Sequence, residues 1–398
     1  MKYDFTTSAN RENTNAEKYQ LREKIFHTDD VIPLWIADMD IDTPSFVLDA
    51  LKKRLNHPIL GYEEIPSSAF LSQKNWIEKQ HNTSFALKDF LYIPSVISAI
   101  NIAIQAFTQK GDKIIIQPPI YPPFIKSIKN NHRIPLFNPL QYNEDGTYSF
   151  DIKDLTSKID KNTKMLLLCS PHNPVGRVWK KEELLEIFTL CKKHNIIVFS
   201  DEIHSDLVYM PNKHIPFASI DPSAKDMSIT AMGIGKTFNL AGMAMSSVII
   251  PNEILKQQFL KIYNNIHFGE GNILAHIAFQ SAYTNGEKWL KALKQHLLHN
   301  YTMLQKICEK YPNLIKLTPI EGTYLAWIEC KNKNISNQQI QNFFIKKCKL
   351  GVSSGIHFGL EGSHFIRLNF AISHAKMSQV IQQLDNCLKD KNDQYRLG

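Results

Sequence analysis

The sequence predicts an α/β protein: a larger domain built on a mainly parallel sheet with helices on both faces, then a smaller α+β domain. Three observations carry this. The apolar runs Lys113-Ile114-Ile115-Ile116-Gln117, Met165-Leu166-Leu167-Leu168-Cys169 and Ile196-Ile197-Val198-Phe199-Ser200 alternate with amphipathic stretches such as residues 181–188. That is the pattern of strands buried on both faces. The pattern changes near residue 286, and a chain of 398 residues, 43% hydrophobic and 21% charged, exceeds one ordinary domain and can bury a sizeable core.

Taken in order, residues 1–45 lack strong periodicity and read as an arm packed on something larger. Residues 46–285 form the strand-and-helix domain. Within it Ser95-Val96-Ile97 opens a helix directly after Pro94, and ligands are expected beyond the carboxyl ends of the strands. Residues 286–398 hold a long helix from Glu287 to Lys310, a strand near residues 323–328, a helix over 337–347, a strand over Phe365-Ile366-Arg367-Leu368-Asn369, and a short polar tail after Lys389.

The net charge of +8 is spread over scattered lysines, with no zinc-finger spacing or basic arm, so nucleic acid is not an expected partner. Six cysteines without a C-x-x-C pair read as free thiols in a reducing cytosol. The polar N-terminus and the lack of a long apolar run predict a cytoplasmic protein that does not enter membranes.

The chemistry centres on Lys236, in Gly235-Lys236-Thr237-Phe238-Asn239, between the strand-like runs 228–232 and 246–250. A lysine in such a glycine-punctuated loop loses solvation, which lowers its pKa and sharpens its amine as nucleophile and base. Asp201 stands at the end of an earlier apolar run. Alone it reads equally well as a helix cap. Paired with Lys236 it suits pyridoxal phosphate, the lysine holding the aldehyde as a Schiff base and the acid keeping the ring nitrogen protonated.

Other residues add to this reading, each beside a plainer one. Ser170-Pro171-His172-Asn173-Pro174 is a rigid turn, or simply a tight connection, whose Asn173 can reach the phenolic oxygen of the cofactor and a carboxylate. Tyr121, locked among prolines, can stack on a flat cofactor or merely pack. Val96 and Ile97 open a helix whose N-terminus suits a phosphate. Arg367, one of seven arginines and set in an apolar run, needs either an internal acid or a substrate α-carboxylate.

Together these motifs, with Trp35-Ile36-Ala37-Asp38-Met39-Asp40, Asp201-Glu202-Ile203-His204 and Gly322-Thr323-Tyr324-Leu325, resemble the class I/II aminotransferase superfamily of fold-type I pyridoxal-phosphate enzymes. Within it they are most similar to the cystathionine β-lyase or C-S lyase branch. The resemblance implies a homodimer with shared active sites, where Tyr62 reaches the phosphate of the partner. It also implies ring stacking by Tyr121, carboxylate binding by Asn173 and Arg367, a substrate contact at Ala37, and His204 near the phenolic oxygen.

Two positions depart from that family. Gly233 and Ala244 stand where aminotransferases commonly carry a phosphate-gripping serine and arginine, which leaves backbone amides, Tyr62 and hydroxyls such as that of Thr230 to do so. Tyr19 replaces the usual tryptophan. The implied reaction is α,β-elimination of L-cystathionine or a related S-substituted cysteine to pyruvate, ammonia and a thiol. The rival is an aminotransferase; a ligand-sensing regulator on the same fold lacks a helix-turn-helix in residues 1–45.

Overall fold

The computed structural model describes residues 3–269 and 271–389; the expected polar tail lies outside them. A seven-stranded sheet is built from β1 (Phe90–Ile93), β2 (Lys113–Ile116), β3 (Ile134–Phe137), β4 (Thr163–Cys169), β5 (Ile197–Asp201), β6 (Ser228–Gly233) and β7 (Ser246–Ile249), in the order β1-β7-β6-β5-β4-β2-β3. The pairs from β6 to β3 are all parallel, and only β7 runs against its neighbours. The fold is therefore α/β, with a mainly parallel large sheet.

The unbroken apolar run in β4 follows from cover on both faces. Leu166 and Leu168 pack with Val198 and with Leu184, Ile187 and Phe188 of the helix Lys181–Lys193. Met165 and Leu167, pointing the other way, pack with Phe199 and with Ala99, Ile100 and Ala103 of the helix Val96–Phe107. With a side-chain period of two, a strand covered on both sides has no polar position to spare.

A second, antiparallel sheet, β8 (Ile315–Leu317), β9 (Leu325–Cys330), β10 (Ser353–Ser354) and β11 (Phe365–Asn369), runs β8-β9-β11-β10. The helix Glu287–Lys310 buries Trp289, Leu293, Leu297 and Leu304 against it.

The first residues tie into this smaller layer. Two helices of four and five residues, Glu17–Gln20 and Arg22–Phe26, precede Ile32–Pro33, which pairs in parallel with Leu350–Gly351. Residues 35–41 then form a strap between the layers. Trp35 O accepts from Arg367 Nη2 at 2.8 Å, and Ile36 O and Asp38 O accept from Asn369 Nδ2 at 2.7 and 2.6 Å. On the other side Asn239 Oδ1 takes the Met39 N–H at 2.8 Å. Tyr19 does more than fill space here: its hydroxyl donates to buried Asp40 at 2.6 Å.

Candidate active site

A cavity of about 500 Å³ opens where β4, β5 and β6 end, between the large sheet and the small layer. Its wall includes Ala37, Val96, Ile97, Tyr121, Asn173, Asp201, His204, Lys236 and Arg367. Residues from widely separated parts of the chain thus meet in one place. Tyr62 does not join them: it is fully exposed on a loop outside the cavity of its own chain.

Lys236 sits on a single helical turn, Ile234–Thr237, rather than in an open loop. Buried Ile234 anchors the turn, and the Thr237 hydroxyl donates to Asp206 Oδ2 at 2.9 Å. Its Nζ donates to Ala37 O at 2.6 Å, and the Tyr324 hydroxyl donates to the same oxygen at 2.8 Å. Enclosure and then the Arg367 cation bring the Lys236 pKa down to about 8, against the opposing pull of Asp38 and Asp201. An amine with such a pKa is in part an unprotonated base near neutrality.

Asp201 ends β5, and its carboxylate takes one hydrogen bond among the described residues, from the Ile203 N–H at 3.1 Å. Burial pushes its carboxyl up to about 7, against the pull of that N–H and of the Lys236 charge. His204 is held well below the usual imidazole range by burial and then by the Lys236 and Arg367 cations, so its ring is neutral. Its Nδ1 is buried without a partner among the described residues.

Arg367, in β11, is 5% exposed and has no acidic partner among the described residues, so an internal salt bridge does not account for it. Its Nη1 donates to Asn173 Oδ1 at 2.9 Å, its guanidinium lies 4.7 Å from the centre of the Phe358 ring, and its Nε is unpartnered. Burial brings its pKa down to about 10. Asn173 is presented by a turn closed by His172 N–H to Arg177 O and Gly176 N–H to His172 O, both 2.8 Å. Gly176 takes φ +74°, a conformation that suits glycine.

At the helix Val96–Phe107, Ser95 caps the Ser98 N–H through its Oγ at 3.1 Å, and Ser95 O takes the Ala99 N–H. The N–H groups of Val96 and Ile97 have no intrahelical acceptor at that end and belong to the cavity wall. Thr230 is not in that wall, so the hydroxyl suggested from the sequence is misplaced. Ser246 was missed. It pairs with Gly233 across β6 and β7, and a Cβ on Gly233 would lie 2.6 Å from its Oγ. The neighbouring strand thereby brings a hydroxyl to the place left bare by Gly233, and Ser246 lines the cavity.

The arrangement can hold a ligand with a cationic N–H at Asp201, a carboxylate at Arg367 and an anion at the helix start. Fold and cavity together define a fold-type I protein of the pyridoxal-phosphate-dependent class. The chain belongs to the family Aminotransferase class I and II, which it matches over residues 29–384. It is 33% identical to Cystathionine beta-lyase PatB of Bacillus subtilis (strain 168) over 386 residues, 97% of this chain and 100% of that one. Cystalysin from Treponema denticola, whose structure contains pyridoxal 5'-phosphate, superposes with a TM-score of 0.94 at 34% identity, covering 98% of this chain and 100% of that one. The PLP-bound C-S lyase from Staphylococcus hominis superposes with a TM-score of 0.90 at 32% identity, covering 98% and 99%.

Proposed function

We propose that the protein is a pyridoxal-phosphate-dependent carbon–sulfur lyase that converts L-cystathionine or a related S-substituted cysteine to pyruvate, ammonia and a thiol. The cofactor is pyridoxal phosphate, which when bound supplies an electron sink for a carbanion at the substrate Cα. The observation that carries the reading is the convergence of Lys236, Asp201 and an Arg367 without an acidic partner on one cavity. The unpartnered His204 Nδ1 and the free N–H groups of Val96 and Ile97 fit the oxygen and phosphate of the same cofactor.

In this reading Asp201 holds a proton at the ring nitrogen, Tyr121 lies against the ring, and His204 and Asn173 face the phenolic oxygen. Val96, Ile97 and Ser246 hold the phosphate, with Tyr62 reaching across a homodimer to the opposite site. Exposed Ile59, Leu60 and Tyr62 give that loop an apolar face suited to such a contact. Arg367 and Asn173 grip the α-carboxylate beside Ala37. The Lys236 amine, with its lowered pKa, takes the proton from Cα; the Cβ–S bond breaks, the sulfur leaves as thiolate, and water converts the released enamine to pyruvate and ammonium. Buried thiols outside any disulfide among the described residues, at Cys169, Cys191, Cys308 and Cys330, suit a cytoplasmic setting.

The family name favours transamination as the second reading. Against dicarboxylic substrates, Arg11, Arg22, Arg54 and Arg133 are bound to other groups within the chain and stand outside the cavity wall. Incubation with L-cystathionine and no keto acid is expected to release pyruvate and thiol in equal amounts. Turnover that requires an added keto acid overturns the lyase reading.

A further inference from the structure

Most charges in the cavity have a use in the proposed reaction; one does not. Glu17 and Asp201 are the acidic residues in the wall, and Glu17 takes no part in the chemistry at Cα. Its carboxylate has no hydrogen bond or ion pair among the described residues, although cations crowd the same stretch of chain. Arg11 is bound to Asp38 and Asp40, Lys18 to the same two aspartates, and Arg22 to Glu12. Glu17 is thus an unneutralised anion at the exposed edge of a cavity whose interior carries Lys236 and Arg367.

Its charge is felt inside. The Tyr121 phenol is raised mainly by burial, with Arg367 opposing and Asp201 and Glu17 adding to the rise. Arg367, on the small layer, is the proposed grip for the α-carboxylate, and Lys236 lies at the reacting carbon. With Arg367 and Lys236 engaged in this way, Glu17 is the acidic residue of the wall left to meet the part of an S-substituted cysteine beyond sulfur.

We propose that Glu17 is a specificity-determining residue whose carboxylate receives a cationic group, an ammonium above all, on the departing half of the substrate. The inference rests on the lyase reading for the word departing, but the recognition itself does not. An exposed carboxylate in salt water discriminates modestly, about two- to fivefold between a cationic and a neutral ligand of the same shape.

The test uses the holoenzyme and two amino acids without a cleavable Cβ–S bond, L-lysine and its neutral isostere L-2-aminoheptanoate, titrated by calorimetry at low and high salt. Lysine is expected to bind about two- to fivefold tighter at low salt, with the margin shrinking at high salt and falling to about one in Glu17→Gln. Equal affinities in the unaltered enzyme, or a margin that survives Glu17→Gln, overturn the proposal. In turnover, S-(2-aminoethyl)-L-cysteine is expected to exceed S-propyl-L-cysteine in kcat/KM by a similar margin, again lost in Glu17→Gln. If neither thioether yields pyruvate the lyase reading fails, while the lysine and 2-aminoheptanoate affinities still decide the role of Glu17.

Discussion

Asp201 and Asp206 lie on one short stretch of chain and are buried to the same degree, 6% and 7% exposed, yet their acidities move in opposite directions. For Asp201 burial dominates and lifts the carboxyl to about 7, since only the Ile203 N–H and the Lys236 charge resist it. For Asp206 burial also acts upward, but His81, Trp76 and Thr237 outweigh it, and the carboxyl ends below its ordinary range. Those donors stand at 3.1, 2.9 and 2.9 Å. Burial sets the penalty and donors decide its sign. Asp206 is complete within the protein, whereas Asp201 keeps acceptor capacity turned to the cavity, which is the condition for binding a cationic ring nitrogen.

The sharpest way to break this contrast is Asp201→Asn. If the carboxylate holds a ring proton, its loss leaves a buried cation without its partner, and kcat for thioether cleavage is expected to fall about 10²- to 10³-fold. The apoprotein should respond the opposite way. A carboxyl whose folded pKa is raised keeps its proton longer in the folded than in the unfolded chain. Its stabilising contribution is therefore full below about pH 4 and is lost as pH rises to about 7, at up to about 1.4 kcal/mol per pH unit. Urea unfolding of the apoprotein at pH 5 and pH 8 should show this loss in the unaltered chain and not in Asp201→Asn. An identical pH dependence in both removes the basis for treating Asp201 as an open site.

The same contrast marks what could be read from the sequence. Asp201 and Arg367 were legible because each ends or interrupts an apolar run, and Lys236 because it stands in a glycine-punctuated stretch between two such runs; β11 and the helix Glu287–Lys310 were legible from periodicity alone. The Ala37 carbonyl that holds the Lys236 amine was not, because every residue has a carbonyl and only the path of the strap aims this one. Ser246 was hidden for a related reason: it reaches Gly233 through the antiparallel register of β7, and strand register cannot be read from an apolar run alone. The Asp206 cluster joins Trp76, His81 and Thr237, which have no common spacing and meet only after the helix Ser67–His81 docks.

Asp206→Ala sharpens the comparison from the other side. It removes an acceptor from three donors in the interior, and leaving buried donors unsatisfied costs about 1–3 kcal/mol each before relaxation. A loss of about 3 kcal/mol in unfolding free energy is expected, larger than any change in the activation barrier once the protein is held folded. Asp206→Asn keeps one acceptor oxygen and should recover part of it. Should Asp206→Ala instead lower kcat as far as Asp201→Asn without changing the urea midpoint, the two aspartates do not divide stability from chemistry as their surroundings imply.

Thr237→Val makes the smallest and most specific cut, because it touches a bond that joins Asp206 to the turn carrying Lys236. Thr237 is buried, stands next to Lys236 on the same turn, and sends its hydroxyl proton to Asp206. Valine keeps the shape and removes the donor, so the expected loss is about 1 kcal/mol of stability, with Thr237→Ser retaining most of it. If the bond also aims the turn, the Lys236 amine should lose its register with Ala37 O, and its pKa in the cofactor-free protein, read from the pH dependence of its reaction with an amine-specific reagent, should move from about 8 in Thr237→Val but not in Thr237→Ser. A stability loss with an unmoved amine pKa confines Thr237 to holding the fold, and the open and closed carboxylates are then independent of one another.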